Sequence, residues 1–206
     1  MKRSGVYLLD SQDREQLEAL RFDTLVNEGS FVADREAVKW GESDENSSVY
    51  GIFSSNGDLL SSMRAEQITT EEGLRSKLDY DHLHHLISFP CGLLGKASTR
   101  KDFQQLGLHS YLQYLAYRDF YESGLQYVAA TLMPHPGRLE QFKNFGFKFL
   151  FNPAGWHRFG YQSNGPTVVA YLDLHKNYGR LMDVLEPKVK GLKERFPLME
   201  EIVETF

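Results

Sequence analysis

The chain has one cysteine, Cys91, in 206 residues, so no internal disulfide can brace it. It has no run approaching the ~20 apolar residues that a membrane-spanning helix requires, and its mean hydropathy is −0.43. No basic run exceeds two residues and the net charge is −5, which leaves a sequence-independent grip on nucleic acid without an electrostatic basis. Met1 is followed by Lys-Arg-Ser-Gly rather than by the apolar stretch of a secretory signal. These absences point to a soluble, cytoplasmic protein with no nucleic-acid partner and no membrane span. What is present is a 41% hydrophobic content, enough to bury a substantial core. The charge is uneven: residues 1–75 carry 15 acids and 8 bases, residues 76–206 carry 13 acids and 15 bases. An anionic ligand therefore belongs with the second part.

Gly5 to Leu9 is a β-type run, and Asp10 or Ser11 then offers an N-cap to a first helix with Leu17, Leu20, Thr24 and Leu25 at helical spacing and Gly29 as its stop. Residues 30–48 lack a period, which predicts a loop or short helical turn and a place for a substrate lid. Val49 to Phe53 and Leu59 to Ile68 flank Ser55-Asn56-Gly57-Asp58, whose Asn-Gly pair predicts a type I′ hairpin. Residues 70–82 are polar and irregular or helical. His82 to Thr99 contains a strand interrupted at Pro90 and Gly92, with the central strand placed at Leu93 to Thr99.

Leu108, Tyr111, Leu112 and Leu115 recur at i, i+3, i+4 and i+7 and predict an amphipathic helix that Gly124 closes. Gln126 to Met133 reads as a buried strand, Arg138 to Asn144 as a short helix ending before Gly146, and Phe147 to Phe151 and Thr167 to Leu174 as further strands. Leu181, Leu185, Val189 and Leu192 mark a final helix, bent or divided by Pro187 and Pro197. The order of elements fits a single α/β (α+β) domain with a mixed sheet.

The stretch from Ala97 through Ser98, Thr99, Gln104, Gln105, Leu106, Gly107, Leu108, His109 and Ser110 runs from strand through turn into helix. Unpaired backbone N–H groups at the positive end of the helix dipole make such a turn an anion cradle. It resembles the acyl-CoA-binding signature of the GNAT superfamily of N-acetyltransferases, in which Gln or Arg, two residues, Gly, one residue, and Gly or Ala bind the pyrophosphate. Gln104, Gly107 and His109 take those places, and His109 departs from the pattern. Arg138 to Phe147 is similar to the family's closing helix and Gly-Phe strand entry. The resemblance covers residues 5–174. It implies a single GNAT-like domain over 1–174, a mostly antiparallel mixed sheet flanked by helices, and a C-terminal helical extension, 175–206, packed on it. It also implies acetyl-CoA or a longer acyl-CoA as donor, residues 97–99 and 104–110 as its binding site, and no metal.

Two departures concern catalysis. Many members of the family have a Tyr four residues before the equivalent of Gly146 that protonates the leaving thiolate, whereas here Phe142 has no proton to give. The carboxylate often found on the strand before the turn is missing from Leu94-Gly95-Lys96-Ala97. His135, beyond the strand at Gln126 to Met133, is the candidate catalytic base, acting through water. His82, His84 and His85 would lie at a polar strand entry, and their spacing is not that of a zinc site. The aromatic residues of the second half belong mainly to the core, with a share available to an acyl tunnel.

Arg21, Glu42-x-Asp44 and Arg64 resemble acyl-homoserine-lactone synthases and long-chain N-acyl amino acid synthases, whose Arg on the central strand appears here as Lys96. That makes Arg64 a candidate substrate-binding residue for a small-molecule amine or amino acid acceptor, and admits acyl carrier protein as an alternative donor. Three readings stay open: an acyl-CoA-dependent N-acyltransferase working by direct attack, a carrier-protein-dependent synthase, and a non-catalytic acyl-CoA sensor.

Overall fold

The computed structural model describes residues 4–27, 31–33, 35–78, 83–132, 136–152, 157–158, 161–163 and 167–196. The chain opens with β1 (Gly5–Leu8), whose exit Asp10 caps through its side chain to Gln12 N–H while Asp13 reaches back to Asp10 N–H. This reciprocal pair caps a 3-10 turn, Ser11–Asp13, that runs directly into α1 (Arg14–Arg21), which continues as a π-helical turn over Phe22–Asn27. The expected stop, Gly29, lies outside the described residues. The aperiodic segment expected to be a loop or short helical turn holds two one-turn helices, α2 (Arg35–Val38) and α3 (Glu42–Glu45), and also an unexpected strand, β2 (Phe31–Ala33). One-turn helices and a three-residue strand are too short to write a period into the sequence.

β3 (Ser48–Phe53) and β4 (Leu59–Ile68) form the expected hairpin. Its turn is not type I′, because Gly57 has a positive φ of 84° and Asn56 does not. Ser54 C=O accepts from Gly57 N–H and Ser54 N–H donates to Asp58 C=O, which makes a type I turn closed by a left-handed glycine. α4 (Glu71–Lys77) follows, then β5 (Cys91–Thr99), α5 (Leu108–Glu122), β6 (Tyr127–Leu132), α6 (Pro136–Phe145) and β7 (Lys148–Asn152). The short β8 (His157–Arg158) and β9 (Tyr161–Ser163) precede β10 (Thr167–Asp173) and α7 (Leu174–Arg195).

Gly92 lies inside β5 rather than interrupting it: a Cβ there would stand 2.6 Å from the Phe120 ring, so glycine marks a close approach of strand to helix. Leu83–His85 form a 3-10 turn instead of a strand, and His82 lies outside the described residues. α7 runs unbroken through Pro187. The backbone bond lost there is outweighed by burial of Leu181, Leu185, Val189 and Leu192 against α5. Pro197 lies outside the described residues.

Seven strands form one sheet in the order β1-β3-β4-β5-β6-β10-β7, antiparallel throughout except for β5 and β6. β2, β9 and β8 form a separate small sheet. α5 and α7 cover one face of the main sheet, and Tyr111, Leu112, Leu115 and Ala116 of α5 are fully buried there. α4 and the 3-10 turn cover part of the other face through Leu74, Leu78 and Leu83, and α1 covers the β3–β4 end through Leu17 and Leu20. Among the described residues no helix is long and apolar enough to cross a membrane.

Candidate functional site

Two irregularities in β5 build the site. Its parallel pairing with β6 runs only from Cys91↔Tyr127 to Leu94↔Ala130, yet β5 continues to Thr99 and β6 to Leu132. The strands therefore part after Leu94. On its other edge β5 pairs Gly95 with Arg64 and Ser98 with Ser62, so Lys96 and Ala97 stand opposite Met63 alone. This is a β-bulge, and Lys96 sits in it with a positive φ of 47°, uncommon for a residue with a side chain. A cavity of about 1220 Å³ opens at the parting, bounded by β5, β6, the turn after β5 and the segment that carries α2 and α3.

The turn expected to cradle an anion lies on the cavity wall. Gly107 has φ +96° at the N-cap of α5 and provides no side-chain cap, which leaves the first-turn amides for another acceptor. A Cβ at Gly107 would meet nothing within 4 Å, so its bare face looks onto open space. Gln105 also has a positive φ, 65°. Ala97, Thr99 and Gln104 to Ser110 all line the cavity, whereas Ser98 is buried with its carbonyl accepting from Ser61 Oγ. His109 is half-buried, and burial, aided by the Arg138 charge, lowers its pKa to about 4, so the imidazole is neutral at pH 7. Arg138, Lys188 and Arg195 contribute positive charge to the same wall, and Arg195 donates to Leu106 C=O at 3.4 Å.

The N-terminal charges are not a solvated surface set. Arg21 is fully buried and clamps Asp44 in a bidentate pair, Nη1 to Oδ2 at 3.0 Å and Nη2 to Oδ1 at 2.7 Å. Arg64 Nη1 lies 3.7 Å from Asp44 Oδ1, and Lys96 Nζ 3.5 Å from Asp44 Oδ2. Arg64 also approaches Glu66 at 3.5 Å, and Lys77 pairs with Glu66 at 2.9 Å. Burial pushes the Asp44 carboxyl up, but the Arg21 hydrogen bonds and charge, then Lys96 and Arg64, outweigh it and hold it below its ordinary value. Among the described residues the carboxylates paired with Arg21, Arg64, Lys77 and Lys96 are Asp44 and Glu66, so four cations meet two anions there beside the cavity, which Arg64, Lys77, Lys96 and Asp44 line. Glu42 is exposed at the cavity rim.

Phe142 lines the cavity, its ring 4.7 Å from that of Phe147. His135 lies outside the described residues. The sequence reading missed Gln113 of α5, which is 1% exposed, lines the cavity and has no hydrogen-bond partner for Oε1 among the described residues. It falls outside the Leu108, Tyr111, Leu112, Leu115 stripe, where helix periodicity leads one to expect a solvated polar residue, so no local signal in the sequence singles it out. Thr131 of β6, also on the cavity wall, likewise has an unpartnered hydroxyl among the described residues.

No protein-family model matches the sequence, and a search of curated proteins finds no relative. Solved structures do match. BjaI, described as a CoA-dependent acyl-homoserine lactone synthase with SAM and isopentyl-CoA, superposes with a TM-score of 0.65 at 19% identity, over 98% of this chain and 93% of its own. FeeM, an N-acyl amino acid synthase from uncultured soil microbes, gives 0.61 at 14% identity, over 86% and 96%. An acetyltransferase of the GNAT family from Staphylococcus aureus Mu50 gives 0.59 at 10% identity, over 82% and 98%. A parted β5–β6 pair, a bulge on β5 and a glycine-capped α5 thus stand within an architecture shared with these proteins: the chain has the GNAT acetyltransferase fold.

Proposed function

We propose that this protein is an N-acyltransferase that takes an acyl group from acyl-CoA and passes it to an amine by direct attack on the thioester. The observation that carries the reading is the cavity where β5 and β6 part, with the bare face of Gly107 and the amides of α5 at one end and the buried charge cluster at the other. The residues present suit the donor. The α5 amides, with Arg138, Lys188 and Arg195 nearby, match a pyrophosphate. Buried polar atoms without partners among the described residues, Gln113 Oε1 and Thr131 Oγ1, border the cavity at the parting and suit the amide groups of a pantetheine arm. The bulge leaves β5 with one residue more than its partner at Lys96–Ala97, and a backbone N–H of this stretch is the donor assigned here to a thioester oxyanion.

For the acceptor, Arg64 and its surplus of positive charge favour a molecule bearing a carboxylate, such as an amino acid. BjaI and FeeM, whose descriptions name a lactone synthase and an amino acid synthase, agree with that choice. Arg64→Met is expected to raise the KM for a carboxylate-bearing acceptor at least tenfold while the affinity for coenzyme A stays unchanged. An equal loss with acceptors that lack a carboxylate would refute the role.

The donor is tested by thermal shift and mass spectrometry with acetyl-CoA, a long-chain acyl-CoA and coenzyme A. A ligand at a hundred times its Kd adds about 2.7 kcal/mol of stability, so a true donor gives a clear shift. No shift with any of the three removes the reading and leaves a carrier-protein donor to be tried. Phe142 bears on the sensor alternative. A thiolate with a pKa of about 8.5 leaves without prior protonation, so Phe142→Tyr should change turnover by less than about threefold. A hundredfold gain would instead mark the natural chain as a disabled catalyst.

A further inference from the structure

We infer that the Lys96 amine is the general base of the transfer, taking the proton from the acceptor's ammonium group, an assignment that rests on the acyltransferase reading above. No carboxylate lies on β5 between Cys91 and Thr99, and Phe142 cannot accept or supply a proton. Lys96 stands where such a group is needed, in the bulge beside the parting of β5 and β6, on the wall of the cavity. Its left-handed backbone is a strained choice for a lysine on a strand, and here it lies at the cavity.

The surroundings disfavour a charged ammonium. The side chain is 17% exposed. Arg21 from α1 and Arg64 from β4 face it, opposed by Asp44 from α3, whose carboxylate is already engaged by both arginines. Lys39 C=O accepts from Nζ at 3.4 Å. Glu36, Lys39 and Glu42 border the same cavity from the α2–α3 segment, and Lys77 from α4 enters the cluster through Glu66. Burial first, then the Arg21 charge, bring the Lys96 pKa down to about 8 against the pull of Asp44. A substantial neutral fraction therefore exists near neutral pH and grows above it, which a base requires.

The step balances as follows. Neutral Lys96 takes one proton from the acceptor's ammonium group, and the freed nitrogen lone pair attacks the thioester carbon. The C–N bond forms and the C–S bond breaks; the second amine proton ends on sulphur, so coenzyme A leaves as the thiol. Lys96 then returns its proton to water, and one proton is released per turnover.

The test pairs two measurements on the full chain. Protein labelled with 13C at lysine Cε is titrated by NMR, and Lys96, assigned with Lys96→Arg, is expected to titrate near 8. In parallel, thiol release is followed against pH with the best-bound acyl-CoA and each of the common L-amino acids as acceptor. The wild type should show a kcat/KM limb rising through about pH 8. Lys96→Arg keeps the charge but cannot shed a proton, and should lose at least a hundredfold in kcat and the limb, while its Kd for coenzyme A stays within twofold. Lys96→Met should lose as much. A Lys96 titrating at the ordinary lysine value, or a Lys96→Arg enzyme as active as the wild type, overturns the assignment. So does a limb kept by both Lys96 variants and abolished by His135→Ala. Failure of the wild type to bind any acyl-CoA is a separate outcome that takes down the acyltransferase reading and this inference together.

Discussion

Replacing Asp44 with alanine is expected to cost about 3–5 kcal/mol of folding stability, the range for removing one partner from a buried ion pair. Asp44 is 1% exposed, and the Arg21 it clamps has no access to solvent. Without the carboxylate, three cations from three separate elements, Arg21 with no solvent access and Arg64 and Lys96 mostly buried, remain together with no counter-charge at their centre. Equilibrium urea denaturation followed by fluorescence and circular dichroism measures the loss. Because a domain of this size has about 5–15 kcal/mol in total, the variant will sit near the edge of folding. Arg21→Met combined with Asp44→Leu should recover part of the stability, since it removes the fully buried Arg21 charge together with its hydrogen-bonded partner, while Arg64 keeps Glu66. A loss under 1 kcal/mol for Asp44→Ala would mean that the cluster is effectively solvated. The pH dependence carries a sign of its own. Asp44 titrates below its unfolded value, so its contribution is complete above the unfolded pKa of about 3.9 and disappears as the pH falls through the lower folded value. Asp44→Asn should flatten that acid limb.

The parts of the fold that read directly from the sequence are those whose causes are local. α5 followed its apolar spacing from Leu108 and closed at Gly124, which has a positive φ, because helix periodicity and a glycine stop act within a few residues. The same holds for the glycine-opened turn and for the hairpin, although Asn-Gly there pointed to the wrong turn. What stayed hidden was non-local. The Arg21–Asp44 clamp joins residues 23 apart, and Lys96 reaches Asp44 from a strand 52 residues further on, so charge spacing along the chain could not distinguish this cluster from a surface set. Gly92 read as a breaker because its partner, Phe120, is 28 residues away. Pro187 read as a break because packing of α7 against α5 is invisible in a window around the proline.

Gly107→Val is expected to weaken coenzyme A binding at least tenfold, about 1.4 kcal/mol, with little loss of the fold. A left-handed residue at φ +96° suits glycine and strains a β-branched side chain, so valine will pull the turn toward another conformation. The space around the missing Cβ is open, which means that the substitution meets no protein atom and acts on whatever enters the cradle. On the donor reading proposed above, those two effects would converge on one moiety, the pyrophosphate, because the first-turn amides of α5 and the bare glycine face both border the cavity. Isothermal titration with coenzyme A measures the loss, and S-acetylpantetheine, which lacks the nucleotide phosphates, provides the contrast. Its affinity should be the same for wild type and variant, since the proposed site assigns the pantetheine arm to the β5–β6 parting rather than to the turn. Equal weakening of both ligands would show that valine collapses the cavity as a whole, and an unchanged Kd for coenzyme A would remove the turn from the donor site.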